Sequence, residues 1–130
     1  MRSADNESKI YGNLDAVLAE VRHALGKFLD TGESTTIDLN ALPFGAGDES
    51  ALFEALGHGE VEMVLTAMGQ SRLWESRYAG VWLVAHHNGQ GERVALQIEI
   101  TDVPSIARSQ RGDMEEALRR LPDSPWSAVG

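Results

Sequence analysis

The stretch that decides the fold is residues 81–100, VWLVAHHNGQGERVALQIEI. Val81 to His87 is a nearly continuous apolar run. After it, Val94, Leu96, Ile98 and Ile100 alternate with Arg93, Gln97 and Glu99. Such a period of two places one side of a strand on a core and the other in water. Between the two runs, Asn88–Gly89–Gln90–Gly91 supplies residues that accept tight-turn conformations, so the pair reads as a β-hairpin. Upstream, Arg72 to Tyr78 reads as a further strand, and Ala79–Gly80 suits either a hairpin turn or a kink in one long strand. Before that, Val61, Met63 and Leu65 alternate with Glu60 and Glu62, and Thr35 to Leu39 (TTIDL) is a short β-branched run.

Helical patterns flank these strands. From Asn13, a candidate N-cap, apolar residues recur in steps of three and four: Leu14, Val17, Leu18, Val21, Leu25, Phe28 and Leu29. Thr31–Gly32 reads as the stop. A short helix follows Asp48 as N-cap through Leu52, Phe53 and Leu56, ended by Gly57 and Gly59, and a last helix runs from about Asp113 to Leu121 before Pro122. Clustered strands bracketed by helices predict an α+β domain, a mainly antiparallel sheet of about four to five strands with two to three helices packed on it. Residues 1–12 read as a flexible lead-in, 13–122 as the single domain and 123–130 as an irregular tail.

The composition narrows the chemistry. The chain has 130 residues, 42% hydrophobic and 24% charged, with a net charge of −9 and no cysteine. That length suits one domain burying about two-thirds of the surface its unfolded chain exposes. An acidic protein repels phosphate, which argues against nucleic acid and anionic membranes as partners. Without cysteine there is no disulfide, thiolate nucleophile or cysteine-held cluster. The longest apolar run, Ala79 to Ala85, is far below the roughly 20 residues of a membrane span. The opening MRSADNESKIYG lacks a signal-peptide core, so a cytoplasmic location is expected.

The charge is concentrated. Between Phe28 and Ser71 there is no Lys or Arg but there are eight acids: Asp30, Glu33, Asp38, Asp48, Glu49, Glu54, Glu60 and Glu62. Removing those eight from the 20 acidic residues leaves 12 against 11 basic ones, so this segment carries almost the whole net charge. It reads either as a solvated face that keeps the protein soluble or as a patch that orients a basic partner.

No arrangement marks an active site. There is no nucleophile elbow, phosphate loop or dinucleotide fingerprint, so no catalytic residue and no cofactor is expected. His86 and His87 are strand neighbours pointing to opposite faces, a poor geometry for chelation. A metal-handling or enzymatic domain using His58, His86 and His87 is the alternative, but the spacing does not require it, and no metal is expected. The segment Trp74 to Trp82 stands apart, with two tryptophans, Tyr78, Arg77 and Gly80 beside Glu75. If the strand alternates, Trp74, Ser76 and Tyr78 share one face and Glu75 and Arg77 the other. These aromatics either cap the sheet core or form a recognition surface, since Trp, Tyr and Arg dominate interface hot spots. An aromatic patch pairing with a second copy would make an oligomerising adaptor.

Four segments together resemble the HupH/HyaF hydrogenase expression family, accessory proteins of nickel–iron hydrogenase maturation. They are IDL-x-x-LP (Ile37 to Pro43), LG-x-GEV (Leu56 to Val61), E-x-R-x-x-GVW (Glu75 to Trp82) and IE-x-x-x-VP (Ile98 to Pro104). The likeness runs from about Asn13 to Ala107. Family members read as longer chains with two related regions, and this sequence has room for one. The family block tends to read Glu-Thr-Arg-Phe-Pro-Gly-Val-Trp, where this chain has Ser76, Tyr78 and Ala79. The resemblance implies a non-catalytic, chaperone-like factor that binds the hydrogenase small subunit or another accessory protein during iron–sulfur cluster assembly. A chain without cysteine fits a helper that does not itself hold the cluster. The residues expected near the contact are Trp74, Glu75, Arg77, Gly80 and Trp82, with Glu60 and Glu62 on an acidic flank.

Overall fold

The structure, a computed structural model, describes residues 12–123 apart from Met68. Residues 1–11 of the lead-in and 124–130 of the tail lie outside the described residues. The elements run α1 (Gly12–Thr31), β1 (Thr35–Asp38), α2 (Ala46–Leu56), β2 (Glu62–Thr66), β3 (Gln70–Glu75), β4 (Val81–His87), β5 (Arg93–Ile100) and α3 (Arg111–Arg120). All five strands form one antiparallel sheet in the order β1-β5-β4-β3-β2. The expected α+β architecture is what forms.

The hairpin that led the sequence reading is the centre of the sheet. Val81, Leu83 and Ala85 of β4 and Leu96, Ile98 and Ile100 of β5 are buried against Leu14, Val17, Val21 and Ala24 of α1 and Leu52 and Leu56 of α2. Burying each large aliphatic side chain contributes about 1.5–3 kcal/mol, so this layer supplies most of the driving force. The α1 stripe departs from expectation at its end, where Leu29 is 80% exposed. Asn13 is not a cap but lies inside the helix, and its side-chain amide donates to Pro43 O at 2.9 Å. The α1 stop is as read, with the Gly32 N–H donating to Phe28 O at 2.8 Å.

Other boundaries move for local reasons. β1 ends at Asp38 because its carboxylate accepts the Asn40 N–H at 3.0 Å, which turns the chain into a 3-10 turn, Leu39–Ala41. α2 is capped at Gly45, three residues before the expected cap, with Asp48 in its first turn reaching back to accept the Gly45 N–H at 3.2 Å. Arg93 pairs with both Glu49 oxygens at 2.6 and 2.7 Å, fastening α2 to β5. That hydrogen bond holds the Glu49 carboxyl below its ordinary value, so the contact helps at neutral pH and fades as pH falls through the lowered value. Val94 breaks the expected alternation. His86 pairs with Ala95 and His87 with Arg93, leaving Val94 as the extra residue of a bulge, 55% exposed. The sheet face away from α1 and α2 is not simply wet either. Leu73, Trp82 and Val84 are buried there, and so is Glu99, whose carboxylate accepts the Ser105 N–H at 3.0 Å. α3 begins two residues earlier than expected and has no buried residue.

Ala79–Gly80 is a hairpin turn, not a kink. β3 stops at Glu75 because the Ser76 hydroxyl bonds to both the N–H and the carbonyl of Tyr78, at 3.1 and 3.0 Å. Strand alternation therefore ends there, and Tyr78 is exposed in the turn. Gly80, with φ +85, closes the turn, and its N–H donates to the Glu75 carboxylate at 3.2 Å. Across from it, the Arg77 guanidinium donates to Glu54 O at 3.1 Å and the Arg77 N–H to Leu56 O at 2.8 Å, both at the C-terminal end of α2. The Gly59 N–H donates to Glu75 O at 2.7 Å and the Glu75 N–H to Val61 O at 2.9 Å. The turn thus ties the helix end, the 57–61 loop and the sheet together.

Two stability outcomes follow. Leu83, fully buried, should lose about 2–5 kcal/mol as Leu83→Ala in chemical denaturation, whereas exposed Leu118→Ala should change by about 0.5 kcal/mol or less. At Gly57, φ +68 and ψ −161 is a conformation that side chains resist by about 1–3 kcal/mol, and a Cβ there would lie 2.5 Å from Arg77 Nε. Gly57→Ala should therefore cost less in an Arg77→Ala background than in the wild type. Equal costs in the two backgrounds would refute that contact.

Candidate protein-interaction site

The Glu75–Gly80 turn positions an aromatic cluster beside it. Trp74, half-buried on the helix-covered face of β3, meets Phe53 of α2 edge-on, with ring centroids 5.9 Å apart and planes at 65°. On its other flank the His58 imidazole lies parallel to the indole, centroids 6.0 Å apart at 4°. The Arg72 guanidinium sits over the same indole, 5.9 Å from its centroid. Arg72 and Trp74 are two apart on a strand, so they share a face, and Val64 is the cross-strand neighbour of Arg72. Phe53, Gly57, His58, Arg72 and Trp74 line a shallow, mainly apolar cavity of about 310 Å³.

Charge is arranged around it. Glu62 hydrogen-bonds Arg72 through a close side-chain contact, and its other oxygen lies 3.6 Å from His58 Nε2. The Arg72 hydrogen bond holds the Glu62 carboxyl below its ordinary range. Much of the acidic segment is engaged within the fold. Asp38 and Asp48 accept backbone N–H groups, Glu49 pairs with Arg93, Glu62 with Arg72, and Glu33 lies 3.6 Å from Lys27. Among the described residues, Asp30, Glu54 and Glu60 have side chains with no ion pair or hydrogen bond. Glu54 and Glu60 lie on α2 and the 57–61 loop, which also supply Phe53, Gly57 and His58 to the cavity.

The residues singled out from the sequence fall into three groups. Trp74, Glu62 and, on the adjoining loop, Glu60 belong to this surface. Glu75, Arg77 and Gly80 build the turn that supports it. Trp82 is 3% exposed on the opposite sheet face, and its indole N–H has no hydrogen-bond partner among the described residues. Phe53 and Arg72 were missed as site residues. The shared face of Arg72 and Trp74 was a readable signal, whereas the approach of Phe53 depends on how α2 docks.

The histidines do not converge. His58 stacks on Trp74 on the helix side, while His86 bonds the Ser71 hydroxyl at 2.7 Å on the other face. His87 lines a separate depression with Gln70 and Asn88. Among the described residues no three His, Asp or Glu side chains come together to hold a metal, and no helix is long and apolar enough to cross a membrane.

Comparison with known proteins shows the family. Residues 12–125 match the family model described as HupH hydrogenase expression protein, C-terminal conserved region. The chain is 34% identical over 115 residues to the hydrogenase expression/formation protein HoxQ of Azotobacter vinelandii, covering 88% of this chain and 37% of that one. It is 29% identical over 111 residues to HupQ of Azotobacter chroococcum mcd 1, covering 84% of this chain and 39% of the relative. The chain thus spans about two-fifths of the length of these curated relatives. Among solved structures, the hydrogenase expression protein HupH from Thiobacillus denitrificans ATCC 25259 superposes with a TM-score of 0.80 at 42% identity, over 83% of this chain and 90% of that one. The chain therefore belongs to the HupH hydrogenase expression protein family and carries its C-terminal conserved region.

Proposed function

We propose that this chain is a non-catalytic accessory factor in nickel–iron hydrogenase maturation. It binds the hydrogenase small subunit or a fellow accessory protein while iron–sulfur clusters are being assembled. Membership of a family named for hydrogenase expression supports the process, and the Trp74 cluster carries the binding role. A half-buried indole flanked by Phe53, His58 and Arg72, with Glu54 and Glu60 on the adjoining helix and loop, has the aromatic-plus-charge character of an interface hot spot. The Glu75–Gly80 turn serves this surface from beneath, by fixing the helix and the strand that present it.

Co-expression of the tagged full chain with the hydrogenase small subunit and accessory proteins of its own organism tests this. One of them should co-purify with the chain, and Trp74→Ala should weaken that retention by about tenfold or more while leaving the fold intact. Retention of none of them overturns the proposal. Equal retention by the Trp74→Ala variant removes the cluster from it.

A further inference from the structure

β2 is the outermost strand at one side of the sheet, and among the described residues no strand pairs with its outer edge. The register tells which of its backbone groups are free. The Glu75 N–H bonds Val61 O and the Ala67 N–H bonds Gly69 O, so the odd-numbered positions of β2 carry the ladder to β3. The N–H and C=O groups of Glu62, Val64 and Thr66 therefore point outward. Natural sheets blunt such edges with lysine, proline or a bulge. β2 has none of these, and Val64 is half exposed on the face shared with Arg72 and Trp74. The opposite edge, β1, is only four residues long, and its last residue, Asp38, is committed to capping the following turn.

We infer that β2 receives an extended segment of a partner protein as a sixth, antiparallel or parallel strand, with a long apolar side chain of that segment leaning over Val64 into the Phe53–His58–Trp74 cavity. This inference rests on the proposed binding role and specifies its mode. Main-chain hydrogen bonds supply the affinity and the cavity supplies the selection, as in other cases of strand addition. The charge of the surroundings defines the segment further. Glu60, on the loop that supplies Gly57 and His58, is without an ion pair among the described residues, and Glu62 already has Arg72, so a basic residue beside the apolar anchor complements the site.

The test uses the same full chain and the retained hydrogenase protein as the probe. Val64→Pro removes one outward N–H, and an edge strand accepts proline where that N–H faces solvent, so the β2–β3 ladder survives. Retention should fall by about tenfold or more with Val64→Pro and stay within about twofold with Val64→Thr, which keeps the N–H. Site-resolved amide exchange on the wild-type complex gives an independent reading. The Val64 and Thr66 amides should exchange rapidly in the free chain and slow on binding, while Met63 and Leu65 are slow in both. Wild-type retention that Val64→Pro leaves unchanged, or Val64 and Thr66 amides that do not slow on binding, overturns the edge and leaves the binding role standing. Amides already protected in the free chain, or a concentration-dependent dimer that Val64→Pro abolishes, overturns it in favour of this chain's own residues or a second copy as occupant. No retention by the wild type instead removes the binding role itself.

Discussion

The hydrogen bonds that the Glu75–Gly80 turn makes to the end of α2 and the 57–61 loop are the constraint on which the rest of the site depends. A helix end leaves carbonyls without partners, and a hairpin turn leaves N–H groups without partners. Here each supplies the other, as Arg77 serves Glu54 O and Leu56 O while Glu75 serves the Gly59 and Gly80 N–H groups. The arrangement also explains a glycine. Gly57 leaves the helix with a positive φ and lets the Arg77 guanidinium pass within a distance no side chain would permit.

That coupling separates support from contact. Glu75, Arg77, Gly80 and Trp82 form the segment that looks most like a recognition motif in the sequence. In the structure, Glu75, Arg77 and Gly80 bond to backbone, and Trp82 is buried on the far face. What they hold in place is the Trp74 indole with Phe53, His58 and Arg72 around it, next to a sheet edge that no strand pairs with among the described residues. The acidic segment is redistributed in the same way. Most of its carboxylates cap turns or pair with arginines and lysine within the fold, Glu62 beside the cavity among them, and of the rest Glu60 lies on the loop that supplies Gly57 and His58 to the cavity.

The architecture was legible because it rests on periodicity. Leu96, Ile98 and Ile100 alternate, Leu14, Val17 and Val21 step by three and four, and both patterns survive folding. The details that escaped are set by single side-chain-to-backbone bonds that periodicity does not encode. Asp38 ends β1, Asp48 reaches back from inside α2 and Ser76 stops β3, each by bonding a neighbouring backbone group. Val94 was misassigned because a bulge shifts register without leaving a mark in the apolar pattern. The candidate site was half legible. Trp74 and Glu62 were visible as residues, but their company with Phe53, His58 and Arg72 is made by tertiary packing between α2 and β3.

Native-state hydrogen exchange at the amides of Gly59, Glu75 and Arg77 tests the central claim most directly, because these three donate the bonds that join the turn, the loop and the helix end. If the turn holds the site as described, all three exchange slowly, through one shared opening, and Arg77→Ala accelerates them together while the Leu83 amide in the sheet centre stays protected. Exchange as fast as that of the exposed α3 helix, or an Arg77→Ala variant that leaves all three rates unchanged, would contradict it.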